Sequence, residues 1–216
     1  MKKLIVSAVI IFAAFLVSAQ QDPKAKSILE NVTKTTQSYT TIQATFDYIM
    51  ENKEEGIHEE NKGNILMKGA KYQLKLPLLG LEVYCDGKQV WTYMKDANEV
   101  TVAEIDEDSG ELMNPSKLFT IYEHGFNYKF IEETTVDGTV VYVIDLLPQA
   151  KSIEYSRVRI YIDKQKMLIK KAEMIGQEGN NYIVKVNDLK TNVAADDYVF
   201  VFNAAKHPGV EVIDLR

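Results

Sequence analysis

The sequence predicts a mainly β domain with two helices, on three observations. Five short strand-like runs follow one another between Gly63 and Val102, broken by Lys68-Gly69, Pro77 to Gly80, Asp86-Gly87 and Asp96-Ala97-Asn98. Asp-Gly stands between apolar runs twice, at Asp86-Gly87 and Asp137-Gly138. That dipeptide is a strong hairpin signal, because both central residues of a type I′ turn need φ > 0. Beyond the first twenty residues, helical spacing of apolar residues is confined to 23–38 and 115–123. A meander this rich in large apolar side chains predicts a curved sheet around apolar material, its own core or a ligand.

Residues 1–19 read as a secretory signal peptide. Lys2 and Lys3 precede an apolar run from Leu4 to Val17, and Val17-Ser18-Ala19 supplies small residues for cleavage after Ala19. The run is shorter than the roughly 20 residues of a spanning helix. Residues 20–216 then form one domain. Loss of Lys2 and Lys3 takes the net charge from −6 to −8, which argues against nucleic acid or anionic lipid surfaces as partners. No second long apolar run follows, so no segment is expected to span a membrane.

Asp22-Pro23 opens the first helix, a capping residue followed by a proline suited to the first helical position. Ala25, Ile28, Leu29, Val32, Thr36 and Tyr39 follow helical spacing along its apolar stripe. Gln43 to Met50 alternates, with Phe46, Tyr48 and Met50 on one face, and Glu51 to Gly56 is a charged hairpin tip. In the meander Tyr72, Leu74, Leu76 and Leu78 share one face, and Gln73, Lys75 and Pro77 the other. Cys85, the only cysteine, alternates with Leu81 and Val83 and reads as a small buried hydrophobe. Glu99 to Ile105 is a strand, and 106–111 an acidic loop. Asn114-Pro115 starts the second helix, with Leu118 and Phe119 on its apolar side. Strands follow from Phe126, through the Asp137-Gly138 turn, to Tyr182–Val186, Val199–Phe202 and Val210–Ile213. The count is at least ten.

No catalytic signature is present: no Gly-x-Ser-x-Gly, phosphate loop, dinucleotide fingerprint or His-Glu-x-x-His. His58-Glu59-Glu60 lacks companions, since His124 and His207 are far away in sequence, and it reads as a solvated turn. The acidic loop lacks the spacing of an EF-hand. No enzyme activity, cofactor or metal is therefore expected.

Together these motifs resemble the periplasmic outer-membrane lipoprotein carrier family, LolA. The likeness lies in Gly63 to Lys68, Lys71-Tyr72, Asp86-Gly87-Lys88, Val90-Trp91-Thr92-Tyr93, and the tail Phe200-x-Phe202 followed by Pro208-Gly209-Val210-Glu211-Val212. The resemblance implies an incomplete antiparallel β-barrel of ten or eleven strands, with helices covering its open side. It implies a periplasmic carrier that takes lipoprotein acyl chains from the inner to the outer membrane. Its partners would be acylated lipoproteins, an inner-membrane lipoprotein-releasing transporter and an outer-membrane acceptor, and it would act as a monomer. The expected cavity wall is Phe46, Tyr48, Leu74, Leu76, Trp91 and Tyr93, with Leu29, Val32, Leu118 and Phe119 on the lid side. Family members carry an Arg-Pro pair that latches the lid; Gly69 and Ala70 stand there instead. Lys68, Lys71 and Lys75 are candidate substitutes for that latch, with exposed strand charges as the preferred reading. Two alternatives remain: a carrier of another envelope lipid or glycolipid, and a lipoprotein-sensing regulator. Sensors of this kind usually have a further C-terminal domain, and the chain here ends at Arg216, which favours the carrier.

Overall fold

The computed structural model describes residues 21–105, 125–149, 155–176 and 179–216. Helix α1 spans Pro23–Gln37, as the spacing predicts. Asp22 caps it: its Oδ1 accepts from the backbone N–H of Lys24 and Ala25. Its Oδ2 accepts from the N–H of Phe130, so one carboxylate fixes the helix to the sheet. The buried residues are Ala25, Ile28, Leu29, Val32 and Thr33, whereas Thr36 is half-buried and Tyr39 lies beyond the helix. Leu29 and Val32 are almost fully buried, each contributing about 1.5–3 kcal/mol in apolar burial.

Among the described residues twelve strands form one sheet. The first meander runs through β1 (Ile42–Asn52), β2 (Ile57–Lys68), β3 (Lys71–Leu76), β4 (Leu81–Cys85), β5 (Gln89–Met94) and β6 (Glu99–Glu104). The second comprises β7 (Phe126–Val136), β8 (Thr139–Pro148), β9 (Tyr155–Asp163), β10 (Leu168–Gly176) and β11 (Asn181–Thr191). A seam between β1 and β11, from Ile42 opposite Thr191 to Glu51 opposite Asn181, joins the two meanders. Strand β12 (Glu211–Asp214) returns to lie parallel to β6.

The order β12-β6-β5-β4-β3-β2-β1-β11-β10-β9-β8-β7 leaves β12 and β7 as unjoined edges. The sheet is therefore open and unclosed. It has one or two more strands than expected, and the β12–β6 pair breaks the expected antiparallel rule. Val199–Phe202, read from sequence as a strand, instead carries a 3₁₀ turn over Asp197–Phe200. Neighbouring strands twist by about 20–25°, so a sheet this wide must coil. Along β7's free edge Gln21 acts as a short substitute strand: its Nε2 donates to Phe126 O and its Oε1 accepts from Tyr128 N.

The two Asp-Gly turns differ. At Asp137-Gly138 both residues have positive φ, 47° and 74°, and Val136 pairs with Thr139, the two-residue hairpin that was expected. At Asp86-Gly87 only Gly87 does, with φ 92°. The Asp86 carboxylate instead accepts from the N–H of Lys88 and Gln89, and Cys85 pairs with Val90. Cys85 is fully buried, and burial raises its thiol pKa, as fits a packing residue.

The helix face of the sheet as candidate site

Helix α1 packs mainly on β7 and β10. Its apolar stripe joins Phe126, Ile144, Leu146, Val158, Ile160 and Ala172 in one core. The register carries that face across the seam. Ala172 stands opposite Val184, Val184 opposite Tyr48 and Val186 opposite Phe46. Phe46 then faces Gly63, and Ala44 faces Ile65. Ile65 faces Leu74, Leu74 faces Val83, and Val83 faces Thr92. The helix face is thus one continuous surface from β7 to β5.

Over β3, β4 and β5 that surface presents Tyr72, Leu74, Leu76, Leu81, Val83, Cys85, Val90, Thr92 and Met94. None carries a charge. The opposite face of the same strands presents Lys71, Gln73, Lys75, Glu82, Tyr84, Gln89, Trp91 and Tyr93. Leu74, Leu81, Val83 and Val90 are only half-buried, although they pack against the core built on Phe46, Ile65 and Leu76. At Gly63 the strand has no side chain because the Phe46 ring occupies the space. A Cβ there would lie 2.3 Å from Phe46 Cζ and 2.9 Å from Leu76 Cδ2.

The structure brings Phe46, Tyr48, Leu74 and Leu76 together on the helix face. Trp91 and Tyr93 lie on the other side of the sheet, because Tyr84 pairs with Trp91 and Glu82 with Tyr93. There Tyr84, Tyr93 and Val100 form a core with Phe202, and Trp91 packs against it. The Phe202 ring centroid is 5.2 Å from that of Tyr93, and His207 stacks on Phe202 at 4.7 Å. Leu29 and Val32 sit beneath α1 against the β7–β10 half. Leu118 and Phe119 lie outside the described residues.

The C-terminal segment covers the opposite face of the first meander. Lys68 and Lys71 hold Asp197 through 2.8 and 2.7 Å contacts, and Gln73 Nε2 donates to Val199 O. These two lysines are therefore paired rather than free strand charges, and they act on the face away from α1. They pull the Asp197 carboxyl down to about 2. Lys75 pairs with Glu82 at 3.1 Å on the same side.

Several helix-face residues escape a reading of single strands: Val83, Val90, Tyr155, Tyr182 and Val184. Tyr48 and Tyr182 stack with centroids 6.2 Å apart, and Tyr155 meets Tyr182 edge-on at 6.2 Å. Burial first, then the neighbouring Tyr182 and Tyr155, push the Tyr48 phenol up to about 12.

Among described residues no helix is long and apolar enough to cross a membrane. In sequence the chain is 29% identical over 122 residues to an uncharacterized protein of Methanocaldococcus jannaschii, MJ0687. The match covers 56% of this chain and 34% of the relative, about a third of its length. In structure it is similar to an uncharacterized conserved protein from Thermus thermophilus, with a TM-score of 0.62 and 14% identity. That alignment covers 88% of this chain and 99% of the other, and shows a shared fold. A LolA superfamily protein from Nitrosomonas europaea aligns at a TM-score of 0.45 with 13% identity, over 82% of this chain and 97% of the other. That likeness is too distant to bear an argument. A family model described as "-like: Uncharacterized protein" matches residues 78–204, more than half of the sequence, and the chain belongs to that family.

Proposed function

We propose that this protein is a lipid carrier that holds acyl chains against the helix face of β1–β5. The observation that carries this reading is the uncharged, half-buried surface around Leu74, Val83 and Val90, continuous with the core under α1. Acyl burial contributes about 0.8 kcal/mol per CH₂, so such a surface needs apolar area and little polar chemistry. Among the described residues the C-terminal segment covers the opposite face of this meander, which supports the helix face as the ligand side. The sequence motifs resembling the lipoprotein carrier family support acylated lipoproteins as cargo. On this reading the protein works in the periplasm between an inner-membrane transporter and an outer-membrane acceptor, and performs no catalysis.

The test uses tryptophan as a short-range probe. In a Trp91→Phe background, Leu74→Trp and, separately, Val83→Trp place an indole on the helix face. Titration with palmitate brominated along its chain is expected to quench both saturably, while native Trp91 in the unaltered protein stays bright. Palmitate that leaves both new indoles unquenched at concentrations saturating ordinary carriers would overturn the proposal. Mass spectrometry of lipid extracted from the purified protein then separates diacyl or triacyl peptide from free glycolipid.

A further inference from the structure

The helix face changes character at one end. Beyond Phe46 and Gly63 the next row is Tyr48 opposite Asn61 on β2 and opposite Val184 on β11. Strand β3 ends at Leu76 and its pairing reaches only Asn64 of β2, so this row is a rim rather than floor. Tyr182, one row further, stacks on Tyr48, and Tyr155 closes against Tyr182. All four side chains are half-buried. Three phenols and one amide thus stand together at the border of a surface that is otherwise uncharged. The nearest carboxylate on this face by register is Glu59, opposite Met50.

We infer that Tyr48 and Tyr182, flanked by Tyr155 and Asn61, form the polar end of the acyl site, the two phenols donating hydrogen bonds to the ester carbonyls of a glycerol-linked diacyl group. This rests on the carrier reading above and adds an orientation: chains toward Leu74 and Val83, esters at the tyrosine rim. The chemistry fits for three reasons. A phenol offers both an apolar ring and a hydroxyl donor, which suits a boundary where one end is greasy and the other polar. An acyl ester is acceptor-only, so it matches O–H and amide N–H donors. Tyr48 also keeps its proton across the neutral range, since burial and its tyrosine neighbours favour the uncharged phenol.

The experiment compares two probes with identical chains: a dipalmitoyl-S-glyceryl cysteine peptide, and its dialkyl ether analogue, which lacks the carbonyls. The unaltered protein is expected to bind the diester about fivefold or more tightly than the diether, as one or two hydrogen bonds would give. Tyr48→Phe/Tyr182→Phe is expected to bind both probes alike, at the affinity the unaltered protein shows for the diether. Equal affinity of the unaltered protein for the two probes would overturn this inference and leave the carrier reading standing. Retention of the ester preference in the double variant would overturn it as well. Binding of neither probe would bring down the carrier reading itself.

Discussion

At the scale of single residues, two glycines separate two kinds of constraint. Gly63 has its space filled by Phe46 and Leu76. Gly87 has φ 92°, and a Cβ added there would meet Ala70 Cβ at an ordinary 3.7 Å, so its demand is on backbone conformation alone. Gly63→Val must displace the Phe46 ring from the floor of the proposed site. An overpacking cost of about 2–3 kcal/mol, or roughly 5–10 °C in Tm for a chain of this size, is expected. Gly87→Val has room but a disfavoured φ, and about 1–2 kcal/mol is expected. Thermal unfolding checks the ranking, and Gly63→Val should also weaken palmitate binding while Gly87→Val does not.

The misplacement of Trp91 and Tyr93 is instructive at this same scale. Alternation assigns residues to faces within a strand, but the face must be carried through each turn. Leu76 pairs with Leu81 and Cys85 with Val90, which keeps Leu74, Val83 and Val90 together and sends Trp91 across. That step was legible in the sequence once the hairpins were accepted. Tyr182 and Tyr155 were not legible as neighbours of Tyr48, because the seam that brings them together has no local turn to announce it.

At the scale of elements, the C-terminal segment is held by charges as well as by Phe200 and Phe202. Asp197 is ordinarily a carboxyl of pKa 3.8 and is drawn down to about 2 by Lys68 and Lys71. A depressed folded-state pKa stabilises above the unfolded value and loses that contribution as pH falls through the folded one. Attachment of the segment should therefore be complete above pH 4 and weaken between pH 4 and 2. Because Trp91 packs in the core beneath it, intrinsic fluorescence reports the event. Lys68→Met/Lys71→Met should abolish this acid-dependent step, because Asp197 then has no lysine partner to lose on protonation. A step that persists unchanged in the double variant would take the attachment away from this ion pair. Helix α1, by contrast, was legible from its Asp22 cap and Pro23 start to Ala25, Ile28, Leu29 and Val32 of its stripe, while buried Thr33 was missed and Tyr39 falls past its end.

At the scale of the whole molecule, the sequence shows two runs of hairpins but not how they meet. Turn chemistry at Gly69, Gly80, Gly87 and Asp137-Gly138 marks sequential neighbours, so β1 to β6 and β7 to β11 can be read off as meanders. The β1–β11 junction and the parallel return of β12 are tertiary choices, set by which apolar faces must be continuous, and no short-range signal encodes them. The helix expected at 115–123 falls on residues outside those described, so the expected cover over the first meander is not part of the fold described above.

That junction makes the order of assembly asymmetric. Each meander can zip from its own short turns, whereas Ile42 must find Thr191 across about two thirds of the chain. Closing a loop of about 150 residues costs about 2 kcal/mol more in chain entropy than closing one of about ten. Pairing at such separation tends to be slow. In pulse-labelled refolding, amides within β3–β5 and β8–β10 should become protected first, and those bonded across β1 and β11 last. Simultaneous protection would mean that the two halves never exist apart. If they do, the surface proposed to hold lipid is completed only in the final step, when Tyr48 of one half comes to rest on Tyr182 of the other.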